Sequence, residues 1–158
     1  MDKGKFKVLY RDKINFVKNN KVYKEKRSLK SKMQKIKNFI NWHKIKSNIE
    51  KKEQRLKFQI RDVLFCSIGE NVGFEQDGRG EEFLRPVVVI KKFNNEVFFG
   101  VPLTHTNKKG GYYFHFNLNN GISVAILSQV KLFDAKRIKY KMGMINEKDF
   151  NVLKEKIR

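Results

Sequence analysis

Phe83-Leu84-Arg85-Pro86-Val87-Val88-Val89-Ile90 is the most hydrophobic strand-like run in the chain, and the fold is read outward from it. Successive β-branched residues favour an extended, buried segment. Pro86 fits at a strand's start, where its missing N–H breaks no ladder bond, and it holds Arg85 extended. An arginine fixed at the mouth of a buried strand is a pre-organised guanidinium. It can grip a phosphodiester with two parallel N–H donors and stabilise the extra charge of a pentavalent transition state. The ordinary alternative is a salt-bridged surface arginine, which spacing alone favours.

Around this run lie short β-type segments with turns between them. The sequence predicts strands over 62–68, 84–93, 96–103, 112–118, 122–127 and 130–133. Phe93-Asn94-Asn95-Glu96 and Asn119-Asn120-Gly121 read as tight connections, because Asn and Gly tolerate positive φ. Short strands at this density predict a small barrel or a strongly coiled sheet. After Asn146, the apolar residues Phe150, Leu153 and Ile157 mark an amphipathic helix over 146–158, packed on the sheet. The fold class is mainly β (α+β).

The chain's first part has a different chemistry. Of the 36 Lys and Arg and 16 Asp and Glu that set a formal charge of +20, residues 1–60 hold about 20 and about 5. Such a charge favours a polyanionic partner, nucleic acid first. Codon bias in an AT-rich genome also enriches Lys, Asn, Ile and Phe, so charge supports that reading without establishing it. Residues 1–26 show no clean period, with Phe6, Val8, Leu9, Tyr10, Ile14, Phe16 and Val17 scattered among lysines. From Ser28, read as the N-cap, Leu29, Met33, Ile36 and Ile40 form one apolar stripe. Phe39, Trp42, Ile45 and Ile49 form a second beside it. The pattern predicts a helix over 28–53 whose apolar face packs on a core or a twin helix. Its lysines then face solvent or RNA phosphates. The organisation is a basic, largely helical extension over 1–58 followed by one β-rich domain over 59–158.

No stretch approaches the roughly 18 uninterrupted apolar residues of a membrane span. The start carries no apolar core of signal-peptide length, so a cytoplasmic location without a membrane partner is expected. Cys66 is the one cysteine. It alternates with Leu64 and Ile68 and reads as a buried small residue, with no disulfide framework or thiolate zinc cluster available. No His, Asp and Glu cluster has metal-ligand spacing, so neither metal nor cofactor is expected. His43 lies among the helix's packing residues. Tyr112, Tyr113, Phe114, His115 and Phe116 alternate between a core face and an outward face that can stack on an unpaired base.

Two connections carry candidate chemistry. Gly69-Glu-Asn-Val-Gly-Phe-Glu-Gln-Asp-Gly-Arg-Gly80 has no Gly-Lys-Ser/Thr of a phosphate-cradling loop. It also lacks the following helix that a dinucleotide fingerprint needs. It is either a mobile hairpin tip or a flap over a substrate on the sheet. Val101-Pro-Leu-Thr104-His105-Thr106 ends the third strand ahead of Lys108-Lys109-Gly110-Gly111. A hydroxyl at that mouth can hydrogen-bond a phosphate oxygen.

In combination these segments resemble the MazF/PemK family of bacterial toxins. The resemblance rests on Gly69, Asn71-Val72-Gly73-Phe74-Glu75-Gln76, Arg85-Pro86-Val87-Val88-Val89 and Pro102-Leu103-Thr104. Leu127-Ser128-Gln129, Arg137-Ile138 and Gly143 extend it, so that it covers about residues 60–158. It implies an SH3-like small β-barrel with added helices, a homodimer, and metal-independent cleavage of single-stranded RNA. The RNA's own 2′-hydroxyl would attack the adjacent phosphorus, leaving a 2′,3′-cyclic phosphate and a 5′-hydroxyl. On this resemblance Arg85 serves proton transfer and charge stabilisation, and Thr104 binds the phosphate. Asn71, Glu75, Gln76 and Arg79 on the loop are substrate-binding candidates. So are Thr106 and Lys108 after the third strand, and Ser128 and Gln129. A cognate antitoxin, acidic to match this chain's charge, would silence the toxin.

Two departures from the family stand out. His105 occupies a position that is usually small in relatives. A histidine there can donate a proton to the 5′-oxygen leaving group, or it can simply contact base or solvent. The basic extension has no counterpart in compact members. Two other functions are compatible with the sequence. One is a non-catalytic RNA- or DNA-binding module built on a degenerate barrel and the Lys-rich helix. The other is a toxin against a protein such as DNA gyrase, ranked last because such proteins lack the Arg-Pro-Val and Pro-Leu-Thr pair. Target selectivity is expected in the loops over 70–82 and 105–111.

Overall fold

A computed structural model describes residues 20–119 and 121–157, together with Ile14. The scattered apolar residues from Phe6 to Tyr10, with Phe16, Val17 and Asn120, lie outside the described residues. The chain forms two compact units, Met1–Ile40 and Asn41–Arg158. Helix α1 (Lys21–Glu50) begins in the first and ends in the second. It starts earlier than the sequence predicts. Asn20 is the cap, its Oδ1 accepting from Val22 N at 2.9 Å, and Ser28 lies inside the helix. The stripe of Leu29, Met33, Ile36 and Ile40 is exposed rather than packed, and so is His43. Only the end of the second stripe is covered. Trp42 and Ile49 are buried with Phe83, Ile45 packs against them, and the Trp42 and Phe83 ring centroids lie 5.7 Å apart.

The sheet is antiparallel. Its strands are β1 (Asp62–Ser67), β2 (Leu84–Lys92), β3 (Val97–Thr104), β4 (Tyr113–Leu118), β5 (Gly121–Ile126), β6 (Lys131–Asp134) and β7 (Ile138–Met144). Their order is β4-β5-β3-β2-β1-β7, with β6 pairing β3. β3 takes β2 along one edge and shares its other edge between two strands. Val97–Gly100 pair with β6, and Leu103 and Thr104 pair with β5. A 3₁₀ turn over Leu127–Gln129 joins those two strands. Splitting one edge in this way curls the sheet into the half-barrel of an SH3-like fold.

The run that opened the sequence reading is buried on both faces. Val87, Val88 and Val89 are each 0 % exposed. Val88 joins Val63, Val101, Leu103, Phe114 and Phe116 under helix α2 (Glu147–Ile157), which adds Phe150 and Leu153. Val87 and Val89 point the other way, to Leu64, Cys66, Phe98 and Phe133. Asn146 caps α2, its Oδ1 accepting from Asp149 N at 2.8 Å.

β7 escaped the sequence reading. Lys139, Tyr140 and Lys141 are exposed along it, and Ile138 is its one buried residue. Lysines on an edge strand discourage edge-to-edge pairing and at the same time erase the apolar alternation. Its pairing with β1 also shifts register between Val63 and Leu64 and between Phe65 and Cys66, so no period of two survives.

Two expectations follow from this packing. Gly69 has φ +95°, and a Cβ there would sit 2.3 Å from the Trp42 ring, whereas Gly73 has φ +60° and open space around it. Gly69→Ala should destabilise by about 2–4 kcal/mol in chemical denaturation and Gly73→Ala by about 1 kcal/mol. Burial pushes the Cys66 thiol from 9.0 up to about 12. The folded state therefore favours the neutral thiol; that contribution is complete below pH 9.0 and is lost as pH rises toward about 12. At pH 8, a thiol-reactive disulfide should label Cys66 only at the global unfolding rate. Labelling within the mixing time would show that β1 opens locally.

Candidate active site

Arg85 enters β2 beside Pro86 and is only 5 % exposed. Its Nε donates to Asp77 O at 2.6 Å and its Nη1 to Leu103 O at 3.0 Å. With the Gln76 amide turned so that its oxygen faces the guanidinium, Nη2 donates to it at 3.0 Å. Burial lowers the guanidinium well below an ordinary arginine, to about 10; Arg79 pushes the same way and Asp77 opposes. It stays charged at neutral pH, yet lies closer than an ordinary arginine to exchanging a proton.

β2 and β3 pair Val87 with Pro102. Arg85 lies two residues before that pair on β2 and Thr104 two residues after it on β3, where Thr104 pairs with Val124 of β5. Thr104 is buried, and its Oγ1 accepts from Thr106 N at 3.2 Å. Its hydroxyl proton has no acceptor among the described residues. Since Arg85 Nη1 reaches the carbonyl of the residue before Thr104, a guanidinium and a hydroxyl lie near one strand mouth, the kind of donors that a bound phosphate takes.

The loop over 69–80 folds down onto Arg85. Gly78 N donates to Gly69 O at 2.7 Å and closes its neck. Asn71 organises the interior, its N donating to Asp77 Oδ1 at 2.6 Å and its Nδ2 to Gln76 O at 2.8 Å. Glu75 Oε2 accepts from Val72 N at 3.3 Å within the loop tip. Gln129 holds the loop from the 3₁₀ turn. Its Oε1 accepts from Gln76 N at 3.2 Å and its Nε2 donates to Phe74 O at 3.4 Å.

Residues 61–158 match the sequence profile of the PemK-like, MazF-like toxins of type II toxin–antitoxin systems. The chain belongs to this family. The fold of MazF from Deinococcus radiodurans is similar, with a TM-score of 0.54 at 16% identity over 65% of this chain and 94% of that one. The MazE–MazF structure from the same organism gives 0.49 at 11% identity, covering 65% and 92%. The Mycobacterium tuberculosis toxin MazF-mt6 gives 0.47 at 14% identity, covering 61% and 92%. Among curated proteins no sequence matches. The family match leaves α1 outside it.

On this MazF-like domain the sequence candidates fall into two groups. Arg85, Asn71, Gln76 and Gln129 are linked through the loop by the bonds described above, and Thr104 and Thr106 by a bond of their own. The others stand apart from that network. His105 is exposed beside Thr104, and Ser128 and Arg79 are exposed as well. Lys108 lies over the Tyr113 ring, 5.6 Å from its centroid. The sequence reading missed the part played by Asp77, whose carbonyl and carboxylate tie Arg85 and Asn71 together. An Asp just ahead of a glycine in a loop, a habitual acceptor for backbone amides, was the available signal. It also missed Phe74, a fully exposed ring at the tip.

Gln129→Ala removes both of the bonds that tether the loop tip. At about 1 kcal/mol per hydrogen bond, amide exchange at 74–77 should quicken about five- to thirtyfold with the global stability little changed. Unaltered exchange would mean that the neck alone holds the loop.

Proposed function

We propose that this toxin is an endoribonuclease that cuts single-stranded RNA without a metal, by attack of the RNA's 2′-hydroxyl on the neighbouring phosphorus. The observation that supports it is the buried Arg85 guanidinium, bonded to the carbonyl of the residue before Thr104. A phosphate entering from the loop side meets both Arg85 and Thr104. Its oxygens replace the acceptors that Asp77 O and Gln76 now supply, so residues 76–77 lift as the substrate seats. Arg85 then neutralises the phosphorane and moves the proton, while Thr104 holds a non-bridging oxygen. The products are a 2′,3′-cyclic phosphate and a 5′-hydroxyl. The exposed Phe74, Arg79 and Lys108 contact the flanking nucleotides, and His105 touches base or solvent. The toxin works as a homodimer in the cytoplasm and is silenced by an acidic antitoxin.

A second reading is favoured by the same geometry. Arg85 already has protein acceptors for Nε, Nη1 and Nη2, as a purely structural arginine in a nucleic-acid-binding module would.

A mixed-sequence RNA incubated with purified protein in EDTA separates the two when 5′-hydroxyl ends are mapped. Arg85→Ala should lower cleavage about 10³-fold, Thr104→Val about 10–100-fold, and His105→Ala less than about tenfold. An RNA pool left intact by the wild-type protein at high concentration would reject the nuclease. A loss of about 10³-fold in His105→Ala would instead make that histidine the general acid.

A further inference from the structure

A cavity of about 260 Å³ opens between the end of α1, the strand β6 and the turn ahead of β7. Its walls include Trp42, Lys46, Asn71, Lys131 and Arg137. Three of these are cations, and among the described residues none has a carboxylate in ion-pair contact. The nearest acids are committed elsewhere. Asp134 is bound by Arg55 at 3.3 Å, and Glu75 caps Val72 N in the loop. Arg137 uses Nη1 on Ser67 O at 3.0 Å, and its guanidinium carbon lies 5.7 Å from the Trp42 ring centroid. Burial lowers both Arg137 and Lys131, and Arg137 lowers Lys131 further. Glu75 acts against the shift of Lys131 and Asp134 against that of Arg137, without cancelling either. Trp42, 7 % exposed, contributes its ring to the wall. Three cations around one cavity, none in ion-pair contact with an acid among the described residues, favour an anion there.

We propose that this cavity binds a phosphate of the RNA strand next to the one held at Arg85, a step that rests on the proposed nuclease reading. Cys66 pairs with Arg85 on one side of β1 and with Ile138 on the other. Arg137, the residue before Ile138 in the 3₁₀ turn that leads into β7, therefore lies across β1 from Arg85, about 10 Å away along the backbone at the usual strand spacing of about 4.8 Å. Asn71 links the two sites, since it lines the cavity and also donates to Gln76 O at 2.8 Å, beside Arg85. Trp42 and Lys46 belong to α1, outside the family match of residues 61–158. The extension thus supplies a wall that the toxin domain alone lacks, and its role at this point is to hold substrate.

Trp42 is the one tryptophan of the chain, so its fluorescence reports the cavity directly. The full chain is titrated with a 2′-O-methyl oligoribonucleotide, which binds but cannot be cut, and separately with inorganic phosphate. The oligonucleotide should change Trp42 emission saturably. A Lys46→Gln/Lys131→Gln variant, altered only at exposed lysines, should bind about tenfold more weakly, with a salt slope smaller by about 2. In cleavage assays the same variant should raise KM while kcat stays unchanged. Arg85→Ala should lower cleavage about 10³-fold, while the oligonucleotide still changes Trp42 emission saturably with an affinity weaker by less than about tenfold. Equal affinity in the double-lysine variant overturns the proposal. So does a Trp42 signal that answers to inorganic phosphate and not to the oligonucleotide. Oligonucleotide binding that depends on both lysines, in a wild-type protein that cuts no RNA, upholds the phosphate site and removes only the nuclease.

Discussion

The buried Arg85 guanidinium is the constraint on which the rest of the site depends. A charge with 5 % exposure is tolerable only if its donors are met. Here they are met by three different segments, at Asp77, Leu103 and Gln76. That single requirement closes the loop over 69–80 and ties the end of β3, just before Thr104, to the charge. It also explains the lowered pKa of about 10, because desolvation, with Arg79 pushing the same way, is only partly offset by Asp77. The arrangement stores a ready exchange. Carbonyl oxygens that serve the resting protein can be traded for phosphate oxygens, which carry full charge and bind the same donors more strongly.

The other end of the loop is governed by Trp42. Gly69 lies so close to that ring that no side chain fits, and its φ of +95° excludes most residues in any case. The last turns of α1 are therefore not an appendage to the domain. They form part of the surface against which the loop's neck is folded, and Lys136 reaches back to Glu50 O at 2.7 Å to hold that end. Loop, helix end and strand mouth form one mechanical unit, so a change at the helix reaches the loop over Arg85.

Much of this was legible in the sequence, for physical reasons that differ by element. Val87-Val88-Val89 announced a strand buried on both faces because no solvent-facing position interrupts it. Asn94 and Asn146 announced a turn and a cap because their side chains do the bonding locally, as the 2.8 Å bonds to Glu96 N and Asp149 N show. β7 was not legible, since an edge strand rich in lysine shows no apolar alternation. The stripe from Leu29 to Ile40 misled in the opposite sense, because periodicity reports a helix but not what covers it. In the site, Arg85 and Thr104 were found through their order along the chain. Asp77 was missed because it acts mainly through its backbone carbonyl, an atom that every residue carries.

Electrostatics ties these observations together. Arg85 lies across β1 from Arg137, which lines one cavity with Lys131. Burial lowers all three, and a neighbouring cation adds to the shift at Arg85 and at Lys131 but not at Arg137. Like charges gathered at partly dry positions destabilise the empty protein, and any ligand that neutralises them stabilises the folded state by mass action. At physiological salt this attraction fades beyond about 8 Å. The lysines that matter are therefore those that the fold holds beside the sheet, not the larger number elsewhere in the extension. On this view the formal charge of +20 is less informative than the placement of three cations around one cavity, with Arg85 across β1 from Arg137.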